Sequence, residues 1–319
     1  MALPTSGPIT LTDIQTEFGG TAPTSLNEYY AGGAYVPAGT SGTYGAVPSS
    51  GEISLRNFYG TSNAFIPTPF PPGNTANVDL RSYALSQGWN GNSQVQFTVD
   101  SGTTLYSTST STPALTISGS FPNGVVLVVN GSITGRGGNT PGQSGLGAGA
   151  SVFTGPSFSC SIYHNGAPPP GGDGGTGLYV NGVLVTITNA GTIAGGGGGG
   201  GSNFFAPDPA FTRYSGGGGG GGAGGGLGAW SGCSNIWVGQ YGQDATLTTP
   251  GAGGFGGPGG TGGEGGSGGA LGQPGQSGFG RTGYSVFYPP AAGGAAGYSV
   301  VGDATITWIA TGTRLGPIS

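Results

Sequence analysis

Lysine is absent from this 319-residue sequence, and charged residues of either sign make up only 5% of it. The six basic residues are Arg56, Arg81, Arg136, Arg213, Arg281 and Arg314, scattered along the whole chain. Phosphate-backbone binding needs clustered positive charge, so no nucleic-acid partner is expected. A P-loop and Schiff-base chemistry each require a lysine and are excluded. Histidine occurs once, at His164, and cysteine twice, at Cys160 and Cys233. A Cys-x-x-x-His pair supplies too few ligands for a metal site, so no metal or cofactor is expected. Two cysteines are no disulfide framework; they pair if the fold joins them and otherwise stay idle thiols. No stretch approaches the ~18 apolar residues of a membrane span. Met1 to Gly20 lacks a basic region followed by an apolar run, so no signal peptide is expected. Acidic residues are single and scattered. Gly265-Gly-Ser-Gly-Gly269 matches a nucleophile-elbow pattern only as a by-product of a glycine repeat, with no strand before it and no helix after it. No enzyme is expected.

What the chain has instead is 78 glycines and 24 prolines, together nearly a third of its length. Such a fraction usually marks low-complexity or disordered sequence. Disordered chains, however, are kept open by charge, and the net charge here is only −5. Such a chain either stays a glycine coil or orders itself through backbone hydrogen bonds.

Composition divides the chain into five parts: a compact module over 1–60, an extended proline-rich linker over 61–75, a Thr/Ser/Val-rich β region over 76–134, a glycine-rich stretch over 135–297, and a C-terminal strand over 298–319. In the first part, Thr12-Asp-Ile-Gln15, Ser25-Leu-Asn-Glu28 and Ser54-Leu-Arg-Asn57 each read as a helix start, the first two with a capping box. Helices this short do not hold alone. Ile14, Phe18, Leu26, Tyr29, Tyr30, Leu55, Phe58 and Tyr59 therefore form one small cluster or pack on a partner chain; a 60-residue unit with so small a core suggests the partner.

In the β region, Gln94–Asp100 and Ala114–Ser118 alternate like half-buried strands, and Val125–Val129 is a continuous apolar run, the pattern of a fully buried strand. Leu178–Val180 and Val183–Thr188 read as strands joined at Asn181-Gly182, a hairpin dipeptide. Val129-Asn-Gly-Ser-Ile-Thr-Gly135 is echoed by Thr188-Asn-Ala-Gly-Thr-Ile-Ala-Gly195, with Asp303–Trp308 as a weaker third copy. These read as β-turn units that launch and receive the glycine segments.

The glycines keep a phase. Gly253–Ala270 is six consecutive Gly-Gly-X triplets, and positions 251, 254, 257, 260, 263, 266, 269, 272, 275 and 278 are all glycine. A flexible linker has no reason to hold such a register. A period of three is that of polyproline II geometry, which leaves N–H and C=O groups free to bond neighbouring chains. Two glycines per triplet and little proline fit collagen poorly. They fit a bundle of polyglycine helices bonded main chain to main chain, with Phe255, Pro258, Thr261, Glu264, Ser267 and Ala270 on its rim. The fold class expected is thus mostly irregular and β: a small N-terminal module with short helices, a β-rich middle, and a polyglycine II bundle with loops at its ends.

Aromatic, proline-stiffened segments separate the glycine runs. They act as contact surfaces or as satellite cores capping the bundle. The candidate contact residues are Phe158, Tyr163, His164, Phe204, Phe205, Phe211, Arg213, Tyr214, Tyr284, Phe287 and Tyr288. If each run crosses once, 151–170, 202–215 and 282–294 share one tip and 229–250 lies opposite. At ~3.1 Å per residue the stretch 251–278 would span about 87 Å, so it must fold back, with Leu271–Gly275 as the turn.

Six stretches carry a resemblance: Met1-Ala-Leu-Pro-Thr-Ser-Gly-Pro-Ile-Thr10, Asp13–Gly20, Ser25–Gly33, Val36-Pro-Ala-Gly39, Ala46–Gly51 and Ile53-Ser-Leu-Arg-Asn-Phe-Tyr-Gly60. Together they resemble an N-terminal module that recurs on tail proteins of double-stranded DNA phages. The period and layout of the glycine-rich part resemble the distal tail-fibre adhesins of T-even-type phages, described as polyglycine II sandwiches with receptor-binding loops at the tip. The resemblance implies a virion protein made in the host cytoplasm. Residues 1–60, through the eight apolar residues of their cluster, would dock to other phage tail proteins, and the aromatic loops would bind a host-cell receptor, protein or glycan. Self-association of the chain stays open. A structural tail, baseplate or fibre-adaptor role, and a surface-glycan depolymerase, are the other readings.

Overall fold

The computed structural model describes residues 3–22, 24–89, 91, 93–140, 150–155, 158–163, 170–202, 219–228, 242–255, 264–279 and 291–319; in 150–155 and 158–163 it describes strand pairing alone. The described chain is β-rich, with two α-helices.

The N-terminal module holds helix α1 (Leu11–Phe18), single 3-10 turns at Leu26–Glu28 and Leu55–Phe58, and a two-stranded hairpin of β1 (Ser41–Gly42) and β2 (Gly45–Ala46). The cap of α1 is Thr10, not Thr12: Thr10 Oγ1 accepts from the Asp13 amide, and the Asp13 carboxylate accepts from the Thr10 amide and hydroxyl. Threonine at 10 starts the helix one residue before the apolar Leu11, so Ile14 and Phe18 fall on one inward face. Ser54 forms the same kind of box with Asn57, whereas Ser25 reaches only the Asn27 amide.

From Ala64 onward, the glycine-rich excursions apart, the chain winds as a solenoid through parallel sheets. The first turn is β3 (Ala64–Phe65), β4 (Gly73–Ala76) and β5 (Val78–Asp79), so strands begin inside 61–75. Helix α2 (Leu80–Ser86) follows, capped by Asp79 on the Ser82 amide; the β-only expectation for 76–134 missed it. The second turn is β6 (Gln94–Val99), β7 (Thr103–Tyr106) and β8 (Leu115–Ser118). The third opens with β9 (Val125–Val129) and β10 (Ser132–Thr134). After an excursion carrying the antiparallel pair β11 (Ala150–Gly155) and β12 (Phe158–Tyr163), it closes with β13 (Leu178–Asn181). The fourth is β14 (Val185–Asn189), β15 (Thr192–Ala194) and, after a second excursion, β16 (Val300–Val301). The last turn is β17 (Ile306–Ala310) and β18 (Thr313–Leu315), with Ile318 bridging back to Val300.

Equivalent strands stack into three parallel sheets, ordered β17-β14-β9-β6-β3, β18-β15-β10-β7-β4 and β16-β13-β8-β5. Inward side chains form columns down the core. Phe97, Leu127, Ile187 and Trp308 make one, Leu105, Ile133, Ile193 and Arg314 another, and Leu115, Leu178 and Val300 a third. This is the main hydrophobic core; the N-terminal module has its own.

Three expectations change here. Leu178–Val180 and Val183–Thr188 do not pair: Asn181-Gly182 turns a corner between sheets, with Gly182 at φ 67°, and each strand stacks on an earlier turn instead. The Val125–Val129 run buries one face only, with Val126 and Val128 half-buried outside. The echo of 129–135 and 188–195 is real register, Ser132 over Thr192 and Ile133 over Ile193. Its third copy, however, is Thr313–Leu315, because Asp303–Thr305 forms a 3-10 turn one corner earlier.

Candidate functional site

Both excursions leave one sheet through glycine and return to another. Gly135 donates to the Ala194 carbonyl and Gly195 to the Leu315 carbonyl, so the glycine segments extend the strands that launch them. At the centre of these segments is Gly195–Gly201, buried throughout. Its amides go out in three directions. Gly196 and Gly199 donate to Gly175 and Gly172 at 2.9 and 2.8 Å. Gly197 and Gly200 donate to Ala223 and Gly220 at 2.8 Å each, and Gly198 and Gly201 to Gln273 and Gln276 at 3.0 and 2.9 Å. Its carbonyls accept from three further segments. Gly196 and Gly199 accept from Gly297 and Gly294, Gly198 and Gly201 from Gly269 and Gly266, and Gly197 from Gly138, each at 2.8 Å.

One segment of seven residues thus bonds six glycine-rich neighbours, besides the Leu315 carbonyl at its start, returning to the same neighbour every third residue. A β-strand bonds only two. Any side chain would break this arrangement: an added Cβ would lie 1.9 Å from backbone oxygen at Gly195 and Gly196, and 2.0 Å at Gly197, Gly198, Gly200 and Gly201. The segment is pure glycine because it is enclosed on all sides. Peripheral segments carry other residues where they face outward. Phe255 and Ala270 are exposed and Glu264 and Ser267 half-buried, while Gly265, Gly266, Gly268 and Gly269 are buried.

The registers also order the segment ends. Segments 135–140, 195–202, 251–255 and 273–279 run away from the solenoid, and 170–177, 219–223, 264–270 and 291–299 run back. Thr140, Pro170, Ser202, Gly219, Gly228, Gly242, Phe255, Glu264, Phe279 and Ala291 therefore lie at the end remote from the solenoid. Turns at Gly224-Gly225, Thr246–Thr249 and Leu271–Gln273 lie at the near end. The flanks of 229–241 are thus at the same end as those of 203–218 and 280–290, not opposite. The reason is an extra reversal at Gly224 and Gly225, whose φ values of 102° and 82° only glycine adopts readily. In a run of glycines that turn has no local signature. The fold-back of 251–278 falls at Leu271–Gln273, where Gln273 donates to the Ala270 carbonyl.

Of the contact candidates, Phe158 and Tyr163 are the first and last residues of β12, in a hairpin where the sequence pattern suggests a loop. His164, Phe204, Phe205, Phe211, Arg213, Tyr214, Tyr284, Phe287 and Tyr288 lie outside the described residues, as does Cys233.

Seven of the eight docking candidates form one cluster, and Tyr30 stands outside it. Ile14, Phe18, Tyr29 and Phe58 are buried, with Phe58 edge-on to Phe18 and Tyr29 at 5.9 and 6.3 Å. Leu26, Leu55 and Tyr59 pack on the outside of that core. Tyr30 is half-buried and its hydroxyl donates to the Gly51 carbonyl. Burial, and then the Glu28 charge, push the Tyr29 phenol above its ordinary value, and its hydroxyl donates to the Gly19 carbonyl at 2.8 Å. Sequence reasoning missed Tyr44, which is 50% exposed and lies edge-on to Tyr59 at 5.7 Å, with the Arg56 guanidinium 4.5 Å from its ring centroid.

A family model described as phage tail fibre adhesin Gp38 matches residues 68–319. The fold is similar to that of a chain in the crystal structure of the gp37–gp38 adhesin tip complex of the bacteriophage S16 long tail fiber. The TM-score is 0.51 and the identity 24%, over 99% of this chain and 100% of that one. No curated protein matches the sequence. The family model takes in the solenoid from β4 onward, every glycine segment and the C-terminus, so the chain belongs to the phage tail fibre adhesin Gp38 family.

Proposed function

We propose that this adhesin binds its host receptor at the end of the glycine bundle remote from the solenoid, and that the bundle is a polyglycine II sandwich serving as a rigid platform. The observation that carries this reading is that ten described segment ends, flanking the intervals 141–169, 203–218, 229–241, 256–263 and 280–290, lie at that one end. Those intervals hold the aromatic candidates from His164 to Tyr288. Tyrosine and phenylalanine offer large contact area at low entropic cost, and binding energy concentrates in such residues. The sandwich is supported by the three-residue return of each hydrogen bond and by the six neighbours of Gly195–Gly201. Threefold geometry without internal bonds accounts for both.

Residues 1–60 dock the protein to another tail protein. This rests on the likeness of that module to one recurring on phage tail proteins, and on the exposed Tyr44 and Arg56, residue types enriched at binding hot spots. The S16 complex, in which a related fold sits beside gp37 at a fibre tip, supports a tail-protein partner.

The test is to exchange 203–218 and 280–290 for those of an adhesin of different host range and measure adsorption. Particles that retain the protein yet change or lose host binding support the reading. Intact particles with unchanged adsorption mean that these intervals contact other virion proteins instead.

A further inference from the structure

Three Asn-Gly dipeptides lie at corners of the solenoid among the described residues: Asn123-Gly124 before β9, Asn130-Gly131 between β9 and β10, and Asn181-Gly182 between β13 and β14. All three asparagines are exposed. The amides that follow them differ. The Gly124 amide donates to the Phe121 carbonyl at 2.9 Å, and the Gly131 amide to the Val99 carbonyl at 3.0 Å. The Gly182 amide makes no hydrogen bond among the described residues, and neither does the Asn181 side chain. A Cβ on Gly182 would meet nothing within 4 Å, so this corner is open on its outer side.

The difference matters because an asparagine side chain is attacked by the amide nitrogen of the next residue. That nitrogen must give up its proton and turn toward the asparagine Cγ. At Gly124 and Gly131 a carbonyl holds the proton, and that bond has to open first. At Gly182 no bond has to open. Glycine also brings no Cβ to crowd the approach, and it rotates freely at the positive φ of 67° found here.

We propose that Asn181 is a spontaneous deamidation site, and that its product distorts the corner between β13 and β14. The deprotonated Gly182 nitrogen bonds to Asn181 Cγ, the Cγ–Nδ2 bond breaks, and ammonia leaves with the amide proton. A succinimide ring remains, and one water opens it. Opening at Cγ leaves aspartate. Opening at the backbone carbonyl leaves isoaspartate, with the main chain rerouted through Cβ and Cγ. Either product adds a negative charge, and isoaspartate also lengthens the main chain by one carbon. Val180 and Val183 flank the corner and are both buried in the solenoid core, so a longer link cannot keep both seated. None of this depends on where the receptor binds.

Peptide mapping by mass spectrometry, on the full chain held in warm, mildly alkaline buffer, tests this. In the folded protein the peptide with Asn181 should gain the mass of an amide turned acid several-fold faster than those with Asn123 and Asn130. Isoaspartyl methyltransferase should label the same peptide. In denaturant the three rates should converge, because no amide is then held. Aged protein should unfold at a lower midpoint than fresh protein. Equally aged Asn181→Gln should not, since glutamine must close a larger, slower-forming ring. Folded rates that are equal at the three asparagines, or slower at Asn181, would overturn the site. A midpoint that stays put in the parent, or falls as far in Asn181→Gln, would refute its effect on the corner.

Discussion

The Arg314 guanidinium lies over the Trp308 indole, 4.6 Å from the ring centroid, at the last turn of the solenoid. Both occupy inward columns that are aliphatic or phenylalanine in the preceding turns, Trp308 after Ile187 and Arg314 after Ile193. The indole N–H donates to Asp303 Oδ1 at 2.7 Å. The pair closes the apolar core and places charge on its open edge, a known guard against further strand addition. Arg314→Ala should cost about 0.5–1 kcal/mol, the range of a surface cation–π contact, and shift Trp308 fluorescence. Denaturant unfolding and emission spectra check both.

Asn189 stands where the turn before it has Val129, yet it is 1% exposed. Its Nδ2 donates to the Thr311 carbonyl at 2.8 Å, and its Oδ1 accepts from the Gly191 amide at 3.0 Å, holding the corner beneath the last turn. Asn189→Val copies the neighbouring turn but leaves the Thr311 carbonyl unpaired, while the Gly191 amide keeps its bond to the Val129 carbonyl at 2.9 Å. A loss of about 1–3 kcal/mol is expected, read from the denaturant midpoint at unchanged m-value.

Asp13 titrates below the ordinary aspartate value of 3.8 because the Thr10 hydroxyl and amide bond its ionised form. A folded-state value below the unfolded one means that the carboxylate stabilises α1 fully above the unfolded value. That contribution is lost as pH falls through the folded value. Asp13→Ala should lower stability at neutral pH and flatten the acid limb of the unfolding curve. Equal acid sensitivity in the variant and the parent would contradict this.

Glycine positions should split sharply by place. A Cβ on Gly198 would lie 2.0 Å from the Gly294 oxygen, so Gly198→Ala must push two segments apart, at about 3 kcal/mol or more. Ala295, on the exposed face of 291–297, should accept serine within about 0.5 kcal/mol. Paired unfolding curves of the two variants check the contrast.

Local pattern carried the strands and the glycine phase: Gln94–Val99, Leu115–Ser118 and Val125–Val129 were legible because apolar alternation is written in consecutive residues. Their partners were not. Val125 pairs with Val95 and Val185 across long sequence gaps, and alternation alone does not say whether a strand turns back or climbs one level. Asn181-Gly182 looked like a hairpin because a corner and a hairpin both use the positive φ of Gly182. The reversal at Gly224-Gly225 was hidden because, among glycines, a turn residue and a packed residue are the same residue. At the candidate site, the period-three phase was legible, and so was the aromatic content of the intervening segments. That their flanks share one end depended on that hidden reversal. The apolar cluster of residues 1–60 was legible as a cluster, but exposure was not: Tyr44 belongs to no apolar pattern and is marked only by Arg56 above it.

The central claim is that glycine, bonded main chain to main chain, is the ordered core of the adhesin platform. Amide hydrogen exchange of the full chain, followed in the peptide covering Gly195–Gly201, tests it most directly. All seven of these amides are bonded, so protection comparable to the solenoid strand Val185–Asn189 is predicted. Exchange at the rate of an unstructured glycine peptide would contradict the account.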